Sequence, residues 1–194
     1  MKVGVISKLI KSSYGETMQA IDLRFCPILE QNGFKTNLLI YGKTPNLKEL
    51  DAVIISGGND LNSLIPNDIN AARDEFETIV LDECLKLNLP ILGICKGAQS
   101  LANILGAKFK KIDNHVGVHE ILWRNGKKFE VNSYHNWAIE HNLNSEILAT
   151  SSDNTVEAFI DNDKKIIGAM WHFEREETLS AASKEIFKIF KELK

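Results

Sequence analysis

Three short stretches of the chain, Val3 to Ile6, Ala52 to Ile55 and Ile91 to Ile94, carry no polar side chain. A strand with one wet face alternates polar and apolar residues, because successive side chains point to opposite sides. A strand without alternation needs both faces covered, which is the condition of parallel strands packed between helix layers. Helical patterns separate these runs. From Glu16 to Gln31 apolar residues recur at Met18, Ile21, Phe25 and Leu29, and Gly33 follows as a stop. Thr36 to Tyr41 reads as a further strand. Asp68 to Leu87 reads as a long helix with Phe76, Ile79, Val80, Cys84 and Leu87 on one stripe. Pro90 introduces the strand at Ile91, and a helix starts directly after Cys95 and closes at Gly106. The expectation is an α/β fold with helices on both faces of a mainly parallel central sheet.

After Gly106 the pattern changes. His119 to Trp123 and Lys128 to Ser133 flank Asn125-Gly126, a hairpin signal. Ile147 to Thr150, Val156 to Ile160 and Ile166 to Met170 read as further strands, and Thr178 to Leu193 as a closing amphipathic helix. No repeat or linker interrupts the 194 residues, so one domain spanning 1–194 is expected. With 23 basic and 26 acidic residues the net charge is -3, which leaves no basic footprint for a nucleic acid polymer or an anionic membrane. No apolar run approaches the roughly 20 residues that span a bilayer, and the first residues lack the pattern of a signal peptide. A cytoplasmic location is expected. Three cysteines without paired spacing argue against a disulfide framework or a CxxC zinc site. Cys26 and Cys84 lie among apolar residues at helical spacing and read as small core side chains.

Cys95 has a different setting. Gly93-Ile94-Cys95-Lys96-Gly97 joins an apolar strand to a helix. Such a turn holds a nucleophile at the carboxyl end of a strand and the amino end of a helix. Glycines flank it because side chains there would clash across the turn. The helix dipole favours thiolate over thiol, and the backbone N–H of Lys96 faces a developing oxyanion. Ser56-Gly57-Gly58 ends another strand, where Gly58 can offer a second N–H to the same oxyanion. Taken alone it would be a plain turn. In Trp171-His172-Phe173-Glu174, residues two apart project to one side, so Glu174 can orient His172 as the base for Cys95. The blander reading is a surface histidine beside a solvated helix start. His141 reads as a surface residue. His115 and His119 would form a metal pair only on a helix; Val116-Gly117-Val118 is poor helix sequence and no carboxylate frame follows, so no metal is expected. His135 sits in the polar and aromatic run Asn132 to Trp137, which reads as a site-lining loop.

Gly93 through Gln99 resembles the nucleophile motif of class I glutamine amidotransferases, and Trp171 through Glu174 is similar to their terminal W-H-P-E. Arg73 through Glu77, Asn132 through His135 and Met170 through Glu176 resemble the stand-alone γ-glutamyl hydrolase branch, which includes γ-glutamyl-γ-aminobutyrate hydrolase. The resemblance covers nearly the whole chain. It implies a flavodoxin-like three-layer fold, a γ-glutamyl-thioester on Cys95 and hydrolysis by water. It implies that Gly58 and Lys96 supply the oxyanion N–H groups, and that Gln99 and Tyr134, His135, Asn136 and Trp137 hold the glutamyl group. It implies no cofactor, and as partner a small-molecule γ-glutamyl conjugate, with a homodimer allowed. Phe173 departs from the usual proline and Asn136-Trp137 from a common His-Gln pair, which points to a different far side of the pocket.

The short chain and the segment Tyr14-Gly15-Glu16 to Asp22 look similar to a group within this branch that releases a cytidine-diphosphate amidate for capsule phosphoramidate synthesis. That leaving group is the first expectation, and a small amine such as γ-aminobutyrate the second. A glutaminase subunit delivering ammonia to a separate synthetase is a third reading. A redox-sensing relative is a fourth, and the pairing of His172 with Glu174 speaks against it, since a sensor thiol needs no oriented base. Lys96 is expected to act through its backbone, so that Lys96→Ala keeps most activity.

Overall fold

The structure, a computed structural model, describes residues 1–113 and 115–194. Its first strand, β1 (Lys2–Ile6), lies between β4 (Lys35–Leu38) and β5 (Ala52–Ile55), both parallel to it. β5 pairs in parallel with β6 (Ile91–Ile94), and β6 with β13 (Ile166–Ala169). Beyond β13 the sheet turns antiparallel through β12 (Val156–Asp161), β11 (Glu146–Ser151), β8 (Val116–Trp123) and β9 (Lys128–Tyr134). Two short strands, β7 (Phe109–Lys111) and β10 (Trp137–Ile139), pair with each other, and β10 leans on β12.

The unalternating strands are buried on both sides, as their composition requires. Val3, Val5, Ala52, Ile54, Leu92 and Ile94 face one core, which α1 (Phe25–Gln31) and α4 (Ala181–Glu192) cover with Phe25, Leu29, Ile186 and Phe190. Ile6, Val53, Ile55 and Ile91 face the other, covered by Val80, Leu81 and Cys84 of α2 (Asp68–Lys86) and Ala98 and Leu101 of α3 (Lys96–Ile104). This is the expected three-layer arrangement, in which a mainly parallel central sheet lies between helix layers and the antiparallel extension follows α3. Among the described residues no helix is long and apolar enough to cross a membrane.

Three expectations are corrected. The helix read over Glu16 to Gln31 is a β-hairpin followed by a short helix. Thr17–Ala20 (β3) pairs antiparallel with Lys8–Lys11 (β2) around a turn in which Ser12 Oγ accepts from the N–H groups of Tyr14 and Glu16 and Gly15 has φ 87°. Pro27 is the reason: in a helix begun at Glu16 it would remove an interior hydrogen bond, whereas in the first turn of α1 its missing N–H costs nothing. Asp22 marks the new start, its Oδ1 accepting from the Arg24 N–H at 2.9 Å. Ile79, placed on the buried stripe of α2, is 49% exposed; Arg73 and Glu77 are buried on that helix instead. The strand read over Thr36 to Tyr41 spans only Lys35–Leu38.

Candidate active site

Cys95 leaves β6 with φ 51° and ψ -105°, a backbone conformation that costs a non-glycine residue on the order of 1–3 kcal/mol. Two contacts hold it there. Its N–H donates to the Ala169 carbonyl at 2.8 Å, so the turn is tied to β13. Its flanking glycines leave no room for relaxation: a Cβ on Gly93 would lie 2.4 Å from the Gly97 carbonyl oxygen, and one on Gly97 would lie 2.3 Å from that of Ile55. Cys95 therefore stands at the amino end of α3. Lys96 is the first residue of that helix, and its N–H has no partner within it.

His172 reaches the same place from the neighbouring strand. β6 and β13 are parallel with Ile94 opposite Ala169, so their carboxyl ends lie side by side. The chain after β13 forms a one-turn 3₁₀ helix over Phe173–Arg175, with Phe173 buried against Trp171 and Phe187. Phe173 thus takes up core volume, and the turn still brings Glu174 Oε1 to 2.6 Å from His172 Nδ1. A Cβ on Gly57 would lie 2.4 Å from His172 Cε1 and 3.3 Å from Cys95 Cβ, which puts both side chains against that glycine. Burial acts to lower the His172 imidazole, but contacts with Cys95 and Glu174 outweigh it and raise the group to about 9. The arrangement can therefore hold a proton near the thiol at neutral pH.

A buried ionic network supports the Ser56–Gly58 turn. The Arg73 guanidinium donates to the carbonyls of Ser56 (2.6 Å) and Gly57 (3.2 Å) and to that of Gly58. Its Nε donates to Glu77 Oε1 at 2.7 Å, and the other Glu77 oxygen accepts from Lys96 Nζ and Ser100 Oγ, each at 2.6 Å. Burial acts to raise the Glu77 carboxyl, but the Lys96 and Arg73 charges hold it below the usual carboxylate range. With its carbonyls turned toward Arg73, the Ser56–Gly58 turn is fixed beside the elbow. Lys96 Nζ also donates to Asp74 Oδ1 at 2.6 Å. The lysine side chain is thus a buried structural element, and Lys96→Ala, expected to keep most activity, would carry a cost in stability by leaving Glu77 half-compensated.

The residues expected to hold the glutamyl group divide in two. Gln99 is buried and donates Nε2 to the Trp137 carbonyl at 2.8 Å. His135 is buried, and its Nδ1 lies 3.2 Å from that carbonyl, which can only accept. Both support Trp137 rather than face a cleft. Tyr134 and Asn136 are exposed, and the Tyr134 ring lies 5.9 Å from that of His172. The cleft beside His172 is lined instead by Lys8, Asp22, Gly57, Gly58, Glu174 and Arg175. The Arg175 guanidinium lies 4.1 Å over the Tyr134 ring, and the Asp22 carboxyl is held well below its usual range by hydrogen bonds from Arg24.

Sequence reasoning did not bring Lys8, Asp22 and Arg175 to the site, because β3, which pairs with the strand carrying Lys8 and leads to Asp22, was read as helix. It also missed the role of Asn132, whose side chain donates to the His172 carbonyl at 2.8 Å and accepts from its N–H at 3.0 Å. That clamp is aimed at backbone and leaves no sequence signal. Arg73 and Glu77 did leave one, a charged pair at i, i+4 on an otherwise apolar stripe.

Residues 26–192 match the family described as Glutamine amidotransferase class-I. The chain is 36% identical to the Gamma-glutamyl-CDP-amidate hydrolase of Campylobacter jejuni subsp. jejuni serotype O:2, over 99% of this chain and 100% of that one. It is 30% identical to a glutamine-hydrolyzing GMP synthase subunit from Sulfolobus acidocaldarius, over 74% of this chain and 77% of that one. A glutamine amidotransferase from Thermotoga maritima has a similar crystal structure, with a TM-score of 0.65 at 20% identity, covering 98% of this chain and 82% of that one.

Proposed function

This chain belongs to the glutamine amidotransferase class-I family, and from that membership we propose that it hydrolyses a γ-glutamyl amide through Cys95 and releases glutamate. The observation that carries the reading is the pair His172–Glu174, held at 2.6 Å beside a strained thiol at the end of the adjacent parallel strand. In this reading the Cys95 thiolate attacks the γ-carbonyl carbon. The oxyanion is met by the N–H groups of Lys96 and Gly58. His172, oriented by Glu174, gives its proton to the departing nitrogen, and the C–N bond breaks to leave a γ-glutamyl-thioester. Water then attacks the thioester, His172 takes its proton, and glutamate leaves as the thiolate is regenerated. Gln99 and His135 position Trp137, and the Tyr134 ring, 5.9 Å from that of His172, stands beside the cleft.

The proposed substrate is γ-glutamyl-CDP-amidate, as in the Campylobacter jejuni relative that matches from end to end. Lys8 and Arg175, which line the cleft together with Asp22 and Glu174, offer cations to the phosphates of such a leaving group. The relationship to a GMP synthase subunit favours a second reading, a glutaminase that delivers ammonia to a partner. Cys95, His172 and Glu174 come from one chain, so a homodimer is not needed for the chemistry.

The test is glutamate release by the purified chain alone, from γ-glutamyl-CDP-amidate, γ-glutamyl-γ-aminobutyrate and free glutamine, with Cys95→Ala alongside. Fast turnover of the nucleotide conjugate, reduced at least about 10³-fold in Cys95→Ala, is expected. Turnover of none, with Cys95 still alkylated by a glutamine analogue, would instead support the partnered glutaminase. Substantial hydrolysis by Cys95→Ala would exclude the thioester route.

A further inference from the structure

Away from Cys95, four side chains from separate parts of the antiparallel extension converge on one point. His115 precedes β8, His119 lies on it, His135 follows β9, and Glu157 belongs to β12. Gly117, with φ 111°, kinks the backbone between the first two, so their rings meet at 4.7 Å without a helix. The ground on which a metal was discounted from the sequence, that only a helix would unite this pair, therefore does not hold, and Glu157 supplies the carboxylate that no local spacing revealed.

His115 Nδ1 lies 3.1 Å from Glu157 Oε1, His135 Nε2 lies 3.7 Å from the same oxygen, and His119 Nε2 lies 3.5 Å from Oε2. His115, His135 and Glu157 are each more than nine-tenths buried. All five of these atoms are buried and none completes a hydrogen bond among the described residues. Unpaired polar atoms at that depth are costly, and those of His115, His119 and Glu157 lie within 4.8 Å of one another, which calls for a common partner.

We propose that His115 Nδ1, His119 Nε2 and the Glu157 carboxylate form a zinc site, with His135 packed against it. Ligands about 2.0–2.1 Å from a tetrahedral zinc are separated from one another by about 3.3 Å, and His115 Nδ1 and His119 Nε2 lie 3.1 and 3.5 Å from the carboxylate oxygens. His115 Nε2 lies 3.5 Å from Asp153 Oδ2, so this ring carries its proton on the outside and its lone pair on the inside. Two imidazoles with one carboxylate suit zinc, and a water completes the tetrahedron. The metal acts as a positioning element: Glu157 accepts at its carbonyl from the Met170 N–H at 2.8 Å, two residues before His172, and His135 beside the site holds the Trp137 carbonyl at 3.2 Å. The inference does not depend on which conjugate is cleaved.

The full chain, prepared without a histidine tag or chelator, is analysed for metals by mass spectrometry, stripped with a chelator, and titrated with Zn2+ and Co2+. One zinc per chain is expected, with a lower melting temperature when stripped, recovery on adding Zn2+, and the visible spectrum of tetrahedral cobalt. His119→Ala, the least buried ligand, should lose tight zinc binding, and Asp153→Asn should weaken it about 10-fold. The stripped protein should show a raised KM for the γ-glutamyl substrate with a smaller change in kcat. A stripped protein that takes up no zinc and melts at the same temperature with and without it would overturn the proposal. So would a cobalt spectrum of octahedral type, or zinc binding by His119→Ala equal to that of the unaltered chain. With no uptake the cluster is a buried ion pair; with the other two outcomes the metal lies elsewhere or in a different coordination.

Discussion

A raised His172 and a strained Cys95 sit on neighbouring strand ends, and each has a measurable consequence at the level of single residues. The His172 imidazole lies at about 9 in the folded chain, above its ordinary value of about 6.5. A group raised on folding contributes stability that is fully present below its unfolded value and is lost as pH rises through the folded one. His172→Gln should therefore cost roughly 1–3 kcal/mol near pH 6, and the deficit should shrink as pH passes 7 and approaches 9. Urea unfolding of both proteins across that range checks this, and a pH-independent deficit would contradict it. The convergence of Cys95, His172 and Glu174 was legible because Cys95 and His172 follow strand ends and Glu174 stands two residues beyond His172. Asn132 was not, since it acts on the His172 backbone from across the sheet. Nor was the grouping of His115 and His119, which depends on a kink at Gly117 that spacing alone does not reveal.

The elbow as an element is held by backbone approaches too close for any side chain. Gly97→Ala would set a Cβ 2.3 Å from the Ile55 carbonyl oxygen, a backbone atom that can move only with β5. We expect a loss of more than about 2 kcal/mol in stability together with nearly all turnover, measured by denaturation and by glutamate release. A stable and active Gly97→Ala would mean that the strands separate more easily than their burial implies. The ionic network makes a second prediction. Lys96→Ala removes a buried partner of Glu77 and should destabilise by about 3 kcal/mol, with unchanged unfolding cooperativity; a change under about 0.5 kcal/mol would show that Arg73 alone suffices. Elements with continuous apolar strands or long helical stripes were readable because burial on both faces admits few residue types. The hairpin of β2 and β3 was not: its exposed Met18 mimics helical spacing, and Pro27 is the residue that decides between the readings.

For the whole molecule, the strand order places β13, late in the chain, between β6 and β12, with helices covering both faces of the sheet. Amides of β6 and β13 should exchange with solvent only through global unfolding, while those of the two-stranded hairpin β2–β3 should exchange orders of magnitude faster. Hydrogen-exchange mass spectrometry on the native protein reads both, and early exchange in β13 would place the weak point at the sheet centre instead.

That insertion of a late strand also sets a schedule. Cys95 and its strand emerge from the ribosome some seventy residues before the Ala169 carbonyl that receives its N–H and the imidazole that takes its proton. A nascent chain therefore carries Cys95 without these partners through about two fifths of its synthesis. The thiol gains its partners only once β13 has closed the sheet, so during biogenesis the reactive sulfur is protected by timing rather than by a covering segment.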